Sequence, residues 1–325
     1  MKALTNINAS SILDAVTAAQ QARNNGQTVF FSGGGTDLLQ QIKDGTVDAD
    51  VIINLRNIAD SRQIVRNATS TNIGGLITLD ELSKSNQVSN VLTEAAASIA
   101  TPQIRNVATL AGNITQRPWC WYYRNGFNCY KAGGNKCFSV TGENQQHAIF
   151  GGGPSFIVHP SDTAPALVAL NASFVVTGPA GERELSAADF FVLPKQNPQR
   201  ENSLVEGELL SSINIPEAPP NTISGYHKVM DRESWTHAEV SVAAVLTMDG
   251  SEIRSAAIAL GGVATIPWKL PPVEAFLLGK QLNPSVAREA GELAVADAQP
   301  LAKNGHKVTM TSAAVEYALL SLASA

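Results

Sequence analysis

The chain has 325 residues, 44% of them hydrophobic, and a formal charge of −5 from 23 Lys and Arg against 28 Asp and Glu. A length beyond the ~250–300 residues at which one core stops growing predicts two or more domains. An acidic balance with no cluster of Lys or Arg excludes nucleic acid as a partner.

No run of ~18 apolar residues is present, so no membrane-spanning helix is expected. The N-terminal stretch MKALTNINASSILDAV lacks the apolar segment and cleavage pattern of a secretory signal. The expected compartment is the cytoplasm, which suits sparse cysteine. Export in folded form beside a signal-bearing partner would instead bring the chain to the periplasm.

Ser11 is placed to cap a helix with Ile12, Ala15, Val16 and Ala19 on its apolar face, stopped at Asn24-Asn25-Gly26. TVFF (28–31) is a short buried strand, SGGGT follows, DLLQQIK (37–43) resumes helical spacing, and VIINL (51–55) is a second strand. Residues 61–79 form a hairpin, and Thr78 to Glu81 has the form of a capping box. NVLTEAAASIA (90–100) is a helix that ends before Pro102. Residues 166–191 are expected as strand, turn, strand and short helix. The Pro-, Asn- and Glu-rich stretch 194–220 is expected as a connection, with a domain boundary at its end.

Beyond Gly225, EVSVAAVLTM (239–248), Asp249-Gly250 and IRSAAIALGGV (253–263) make a hairpin signal. Helices are expected at 271–282, 284–298 and 311–325, giving an α+β unit. There is no internal repeat and no low-complexity tract.

Two loops have glycine where a ligand could come close. Ser32-Gly33-Gly34-Gly35-Thr36-Asp37 joins a strand to a helix, where free backbone N–H groups can close on an anion. It lacks the Gly-Lys-Ser/Thr of a P-loop and does not fit G-x-G-x-x-G. Phosphate binding and a plain turn capping a helix are both open. In Ala108-Thr109-Leu110-Ala111-Gly112-Asn113-Ile114, Gly112 admits close backbone approach and Thr109 and Asn113 bring polar side chains. Together the two loops could grip a pyrophosphate from both sides.

All three cysteines, Cys120, Cys129 and Cys137, lie in RPWCWYYRNGFNCYKAGGNKCF (117–138), so they cannot all pair as disulfides. Their spacings, eight and seven intervening residues, match neither zinc ribbons nor ferredoxin runs. Gly126, Asn128, Gly133, Gly134 and Asn135 make the loop flexible enough to wrap a ligand, with Trp119, Trp121, Tyr122 and Tyr123 as a shield from water. A site of three Cys and one His for zinc, and thiols without metal, are the alternatives. His147 and His159 are read as a backbone-satisfied histidine and a turn residue. No acid–base pair or nucleophile motif stands out, so the chemistry is expected to belong to a cofactor.

FSGGGTDLL (31–39), TPQIRNVATLAGNI (101–114), HPSDTAPALVAL (159–170) and YHKVMDRESW (226–235), in that order, resemble the FAD-binding subunit of the xanthine dehydrogenase family of molybdenum hydroxylases. The likeness covers essentially the whole chain. It implies the p-cresol methylhydroxylase/vanillyl-alcohol oxidase type of FAD-binding fold: an α/β subdomain over 1–57, a larger one on a mixed sheet over 58–222 and a C-terminal α+β domain over 223–325, with FAD extended between the first two. By the same resemblance Ser32, Gly33, Gly34, Gly35, Thr36 and Asp37 hold the pyrophosphate, and Thr109, Gly112 and Asn113 face them. Asp162 takes ribityl or ribose hydroxyls, and Lys228 or His227 lies near the isoalloxazine. Without it, Asp162 reads as a helix cap and Lys228 as a solvated strand residue.

The insertion at 117–153 resembles the aldehyde oxidoreductase branch, whose flavin subunit carries an additional four-iron, four-sulfur cluster. Cys120, Cys129 and Cys137 match three of its ligands, and Ser155 stands where the fourth cysteine is expected. A serine oxygen is a harder, more basic ligand than thiolate. Ser155, a histidine or an outside ligand could complete the set, or the cluster could be three-iron, labile or absent. The implied activity is electron relay: substrate is oxidised at a molybdenum cofactor in a large partner subunit, a small partner carries two-iron clusters, and FAD here serves an external acceptor. The assembly is a heterotrimer or its dimer. A self-sufficient flavin oxidase or reductase, a zinc-stabilised binding module and a cluster-bearing redox sensor are the competing readings.

Overall fold

The computed structural model describes residues 2–323 and holds three sheets. The chain opens with β1 (Thr5–Asn8), α1 (Ile12–Asn24), β2 (Val29–Ser32), α2 (Leu38–Asp44) and β3 (Val51–Asn54). β3 lies between β1 and β2 with both pairings parallel. The apolar stripe of α1 covers this sheet through Ala15, Val16 and Ala19, and the Ser11 hydroxyl accepts the Asp14 N–H at 3.0 Å. β1 was not expected from the sequence, because its TNIN has no apolar alternation to announce it.

The second layer runs through β4 (Ile64–Arg66), β5 (Ser70–Gly74), α3 (Leu79–Ser83), α4 (Asn90–Ala97), α5 (Pro102–Arg105), α6 (Leu110–Ile114), α7 (Trp121–Arg124), α8 (Thr163–Ala169), β6 (Ser173–Gly178), β7 (Gly181–Ser186), α9 (Ala187–Phe190) and β8 (Leu209–Pro216). Its sheet order is β4-β5-β8-β6-β7, and every pairing is antiparallel, where a mixed sheet was expected. The capping box at Thr78 and Glu81 forms as read. Two readings are corrected. β8 occupies the middle of the sheet although its stretch read as a connection; Ile213 and Ile215 alternate inward, but flanking Pro, Asn and Glu hide the short run. ALVAL belongs to a helix, α8, whose residues are buried on every side, so neither helix nor strand periodicity shows.

The last layer comprises β9 (Thr222–Val229), β10 (Val240–Asp249), β11 (Glu252–Gly261), β12 (Trp268–Lys269), α10 (Pro271–Leu277), α11 (Pro284–Leu293) and α12 (His306–Ala323). Its antiparallel sheet has the order β12-β11-β10-β9 and packs one face on the helices through Val242, Ile258, Val315 and Leu319. β9 adds a strand beside the expected β10–β11 hairpin, and α12 starts five residues before the predicted 311.

Candidate functional site

The first glycine loop leaves β2 and enters α2, and the second leads into α6. They meet: a methyl group on Gly34 would lie 1.9 Å from the Val107 carbonyl oxygen, and one on Gly33 would lie 2.7 Å from the Thr109 hydroxyl. Only residues without side chains let the backbones approach so closely. Between and beyond the loops is a cavity of about 890 Å³ lined by Ser32, Gly33, Gly34, Gly35, Thr36 and Asp37 on one wall and Thr109, Gly112 and Asn113 on the other.

The two walls are chemically unlike. The backbone N–H groups of Gly33, Gly34, Gly35 and Thr36 donate to nothing among the described residues. Those of the second loop are mostly taken: Ala108 donates to Ile104, Leu110 to Ile77, Ala111 to Gly75, and Gly112 to the Thr109 hydroxyl at 3.2 Å. The first wall therefore offers amide donors and the second offers side chains. The Asn113 carbonyl oxygen accepts from Ser161 and Thr163 at 2.6 and 2.7 Å, which leaves its amide to donate.

Asp37 does not cap its helix. Its carboxylate accepts from the Arg124 guanidinium at 2.7 Å and from the Arg117 backbone N–H at 3.0 Å, tying the glycine loop to the cysteine stretch. Arg124 also donates to the Pro118 and Arg117 carbonyls and lies over the Trp119 ring at 4.3 Å.

Sequence reasoning missed the cations of this cavity. Arg117 and Lys131 both line it, and both pair with buried Glu201, at 3.3 and 2.7 Å. Two cations on one carboxylate leave the wall net positive, although burial draws the Lys131 pKa below its ordinary value. The signal was hidden, because the two cations sit in a stretch read for its thiols and Glu201 in one read as a connection.

Asp162 borders the far end of the cavity. Its carboxylate accepts from Lys228 at 2.8 Å and from the Tyr226 hydroxyl at 2.8 Å; burial, then the neighbouring Asp162 charge, holds that phenol protonated. Lys228 is buried and donates also to the Ser98 carbonyl at 3.1 Å, so it is not solvated. Tyr226 and Lys228 share one face of β9, so His227 is on the other face, against Tyr317 with ring centroids 4.3 Å apart and the planes tilted by 39°, away from the cavity.

The cysteine stretch folds around rings. Tyr122, Phe127 and Phe138 pack with centroids 5.0–6.1 Å apart, and the Tyr122 hydroxyl accepts from the Glu143 N–H. The expected shield is corrected in part: Trp119 and Trp121 face solvent, whereas Tyr123 is buried. Cys129 is buried and Cys120 and Cys137 half-buried. Burial, with smaller contributions from Cys137 and Cys129, pushes the Cys120 thiol up to about 11. Its sulfur lies 3.4 Å from His147 Nε2, and the Cys137 sulfur lies 3.1 Å from the Ser139 hydroxyl. Ser155 is buried in the turn after Gly153, beside the backbone pairing of Ala148 with Phe156. No three His, Cys, Asp or Glu side chains among the described residues stand as a metal-holding group.

A family model described as the FAD binding domain in molybdopterin dehydrogenase matches residues 3–218, and one described as the CO dehydrogenase flavoprotein C-terminal domain matches 225–318. The chain belongs to this family of FAD-binding subunits. It is 33% identical to the aldehyde oxidoreductase FAD-binding subunit PaoB of Escherichia coli over 95% of each chain. It is 26% identical to the carbon monoxide dehydrogenase medium chain of Afipia carboxidovorans, over 89% of this chain and 85% of that one. A solved carbon monoxide dehydrogenase from Hydrogenophaga pseudoflava superposes with a TM-score of 0.77 at 23% identity, covering 99% of this chain and 97% of that one, which shows a shared fold. This FAD-binding subunit is therefore part of an oxidoreductase of the molybdenum hydroxylase type. No helix among its described residues is long and apolar enough to cross a membrane.

Proposed function

We propose that FAD lies in the 890 Å³ cavity with its pyrophosphate on the backbone N–H groups of residues 33–36 and its redox ring toward Asp162. The observation that carries this reading is the row of N–H groups that the chain itself leaves without acceptors, beside a wall where Arg117 and Lys131 outnumber Glu201. Amides and a net positive wall attract a diphosphate. Thr109 and the Asn113 amide close on it from the other side. Asp162 receives ribityl or ribose hydroxyls while Lys228 holds the carboxylate in place, and its charge lies next to where the flavin ring would come. His227, turned away, has no part in this. When bound, the flavin takes up two electrons and passes them on, and this chain binds it, orients it and keeps its phosphates paired.

We read the chain as 1–57, 58–222 with its insertion at 117–153, and 223–325; the three separate sheets support this reading, with β9 starting at Thr222, one residue before the last boundary. The electron source is a large partner subunit with a molybdenum cofactor, linked through a small partner with two-iron clusters, in a heterotrimer or its dimer, with an external acceptor. The names of the relatives, "subunit" and "medium chain", support such an assembly. The compartment is the cytoplasm, or the periplasm where a partner bears the export signal.

For the cysteine stretch, a four-iron, four-sulfur cluster held by Cys120, Cys129 and Cys137 with Ser155 is the finer reading. The thiols are near enough to influence one another, but they do not form a metal cage as they stand. The loop would have to close to hold a cluster. The complex is purified with the subunits that accompany it, and flavin bands, iron content and low-temperature paramagnetic resonance are measured. Bound flavin is expected; a colourless complex overturns the reading. Cys129→Ala is expected to remove an iron signal while leaving flavin, and unchanged iron counts against the cluster.

A further inference from the structure

A second cavity, of about 550 Å³, adjoins the first and shares with it Trp119, Pro160, Asp162, Trp235, Thr236 and His237. No Lys or Arg lines it among the described residues, and its charged walls are Glu143, Asp162, Asp231 and Glu239. The lysines behind those carboxylates are committed. Lys228 is on Asp162, Lys303 on Glu143, and buried Lys307 donates to the carbonyls of Glu239 and Gly262 at 3.0 and 2.8 Å. A phosphate entering here would meet carboxylates with no cation in the walls, whereas Arg117 and Lys131 line the first cavity.

The remaining walls suit a planar, uncharged ring. Trp119, Trp121 and Trp235 line the cavity; Trp119 carries Arg124 and His237 against its ring, while Trp121 and Trp235 keep 53% and 58% of their surface exposed and leave indole surface for a ring. His147 is 5% exposed and its Nδ1 has no hydrogen-bond partner. With Nε2 at 3.4 Å from the Cys120 thiol, Nδ1 is a buried polar atom left over in the wall, and a carbonyl oxygen on a ligand would satisfy it. The volume is of the size that holds a small ring system.

We propose that this cavity receives the electron acceptor, an uncharged planar molecule of the quinone class, and that it does not accept a phosphate-bearing dinucleotide. The proposal rests on FAD occupying the first cavity. Two electrons and two protons leave the dihydroflavin that substrate oxidation in the partner generates. Each quinone carbonyl oxygen gains one proton, giving the hydroquinone, and the flavin returns to its oxidised form.

The test uses the purified complex, made anaerobic and reduced with dithionite, then mixed in a stopped-flow instrument with 1,4-naphthoquinone, NAD⁺ or ferricyanide while the flavin band is followed. Naphthoquinone is expected to restore the band and NAD⁺ to leave it bleached. Trp121→Ala removes an exposed ring without opening the core, and is expected to slow naphthoquinone by roughly 2- to 10-fold, the worth of one aromatic contact, while flavin content and ferricyanide reoxidation stay put. Reoxidation by NAD⁺ at a rate comparable with naphthoquinone overturns the proposal. So does a naphthoquinone rate indifferent to Trp121→Ala, or loss of flavin from that variant, which would put the flavin ring itself in the second cavity. If no flavin band is present to bleach, the assignment of FAD to the first cavity fails instead.

Discussion

The glycine cradle and the cysteine stretch touch through one carboxylate, Asp37, yet they are built in opposite ways. The cradle is made of backbone: its shape is set by the close approach of Gly33 and Gly34 to Val107 and Thr109, and its donors stand ready before any ligand arrives. The cysteine stretch is made of side chains, with stacked rings, a guanidinium on an indole and three thiols that share a neighbourhood but no metal geometry. A site of the first kind tolerates almost no added atom. One of the second kind tolerates substitution and depends on what holds it in place.

The sharpest way to break that contrast is at Gly34. A valine there would drive its Cβ to within 1.9 Å of the Val107 carbonyl oxygen and 2.5 Å of its carbon, both of them backbone atoms that cannot rotate aside. Gly34→Val is expected to part the two loops and abolish FAD retention, measured as the ratio of flavin to protein absorbance, while the iron content of the complex is unchanged. A fully yellow variant would show that the cradle does not hold the diphosphate.

Next in size is the pair that closes the cavity's far end. Asp162→Ala would strand the Lys228 ammonium, 2% exposed, with the Ser98 carbonyl as its remaining partner. Breaking a buried pair from one side costs about 3–5 kcal/mol. The urea midpoint should fall accordingly, and Lys228→Met in the same chain should recover much of the loss. If the single variant is as stable as the parent, the pair is not buried in solution.

These two sites also show how much the sequence disclosed. The glycine loops, the Thr78 capping box, the α1 stripe and the Asp-Gly hairpin are local signals, each readable within a dozen residues. What was missed depends on distant partners. Glu201 is what makes Arg117 and Lys131 a phosphate wall, and it lies 70 residues from Lys131 in a stretch with no pattern of its own. β8 is central because β5 and β6 flank it, not because its eight residues advertise a strand. His227 and Lys228 are adjacent in sequence, but strand alternation sends neighbours to opposite faces. A close reading of the β9 pairing, Lys228 opposite Ser241 and His227 opposite Val242, would have separated them, but that register exists only in the fold.

The tie between the two regions is a smaller and more selective target. Arg124→Ala removes three charge-assisted hydrogen bonds, to Asp37, Pro118 and Arg117, and the stack on Trp119. Bonds to a charged group contribute about 1.5–3 kcal/mol. Because the cradle is held by its own backbone, the loss should appear chiefly as faster proteolysis within residues 117–150, with weaker FAD binding following from the freed Asp37. Equal protease resistance in variant and parent would mean that the ring cluster alone secures the stretch.

The smallest effect is one of pH, and it reports on a wall of the second cavity. His159 is 4% exposed, its ring meets Phe191 edge-on at 4.8 Å, and burial draws its pKa down to about 3. In the unfolded chain the group titrates near the ordinary 6.5, so between those values the unfolded state binds the extra proton and the folded state does not. Stability from this residue is therefore complete above the unfolded value and falls as pH drops through the window, by about 1.4 kcal/mol per pH unit for one group. His147, whose pKa burial draws down to about 4, adds to the same slope, so urea midpoints at pH 7, 6 and 5 should decline at least that steeply, and His159→Gln, which cannot be protonated, should make the decline shallower by its own share. A variant with the parent's slope would assign the acid sensitivity to other groups and leave His159 a solvent-reached ring rather than a buried neutral one.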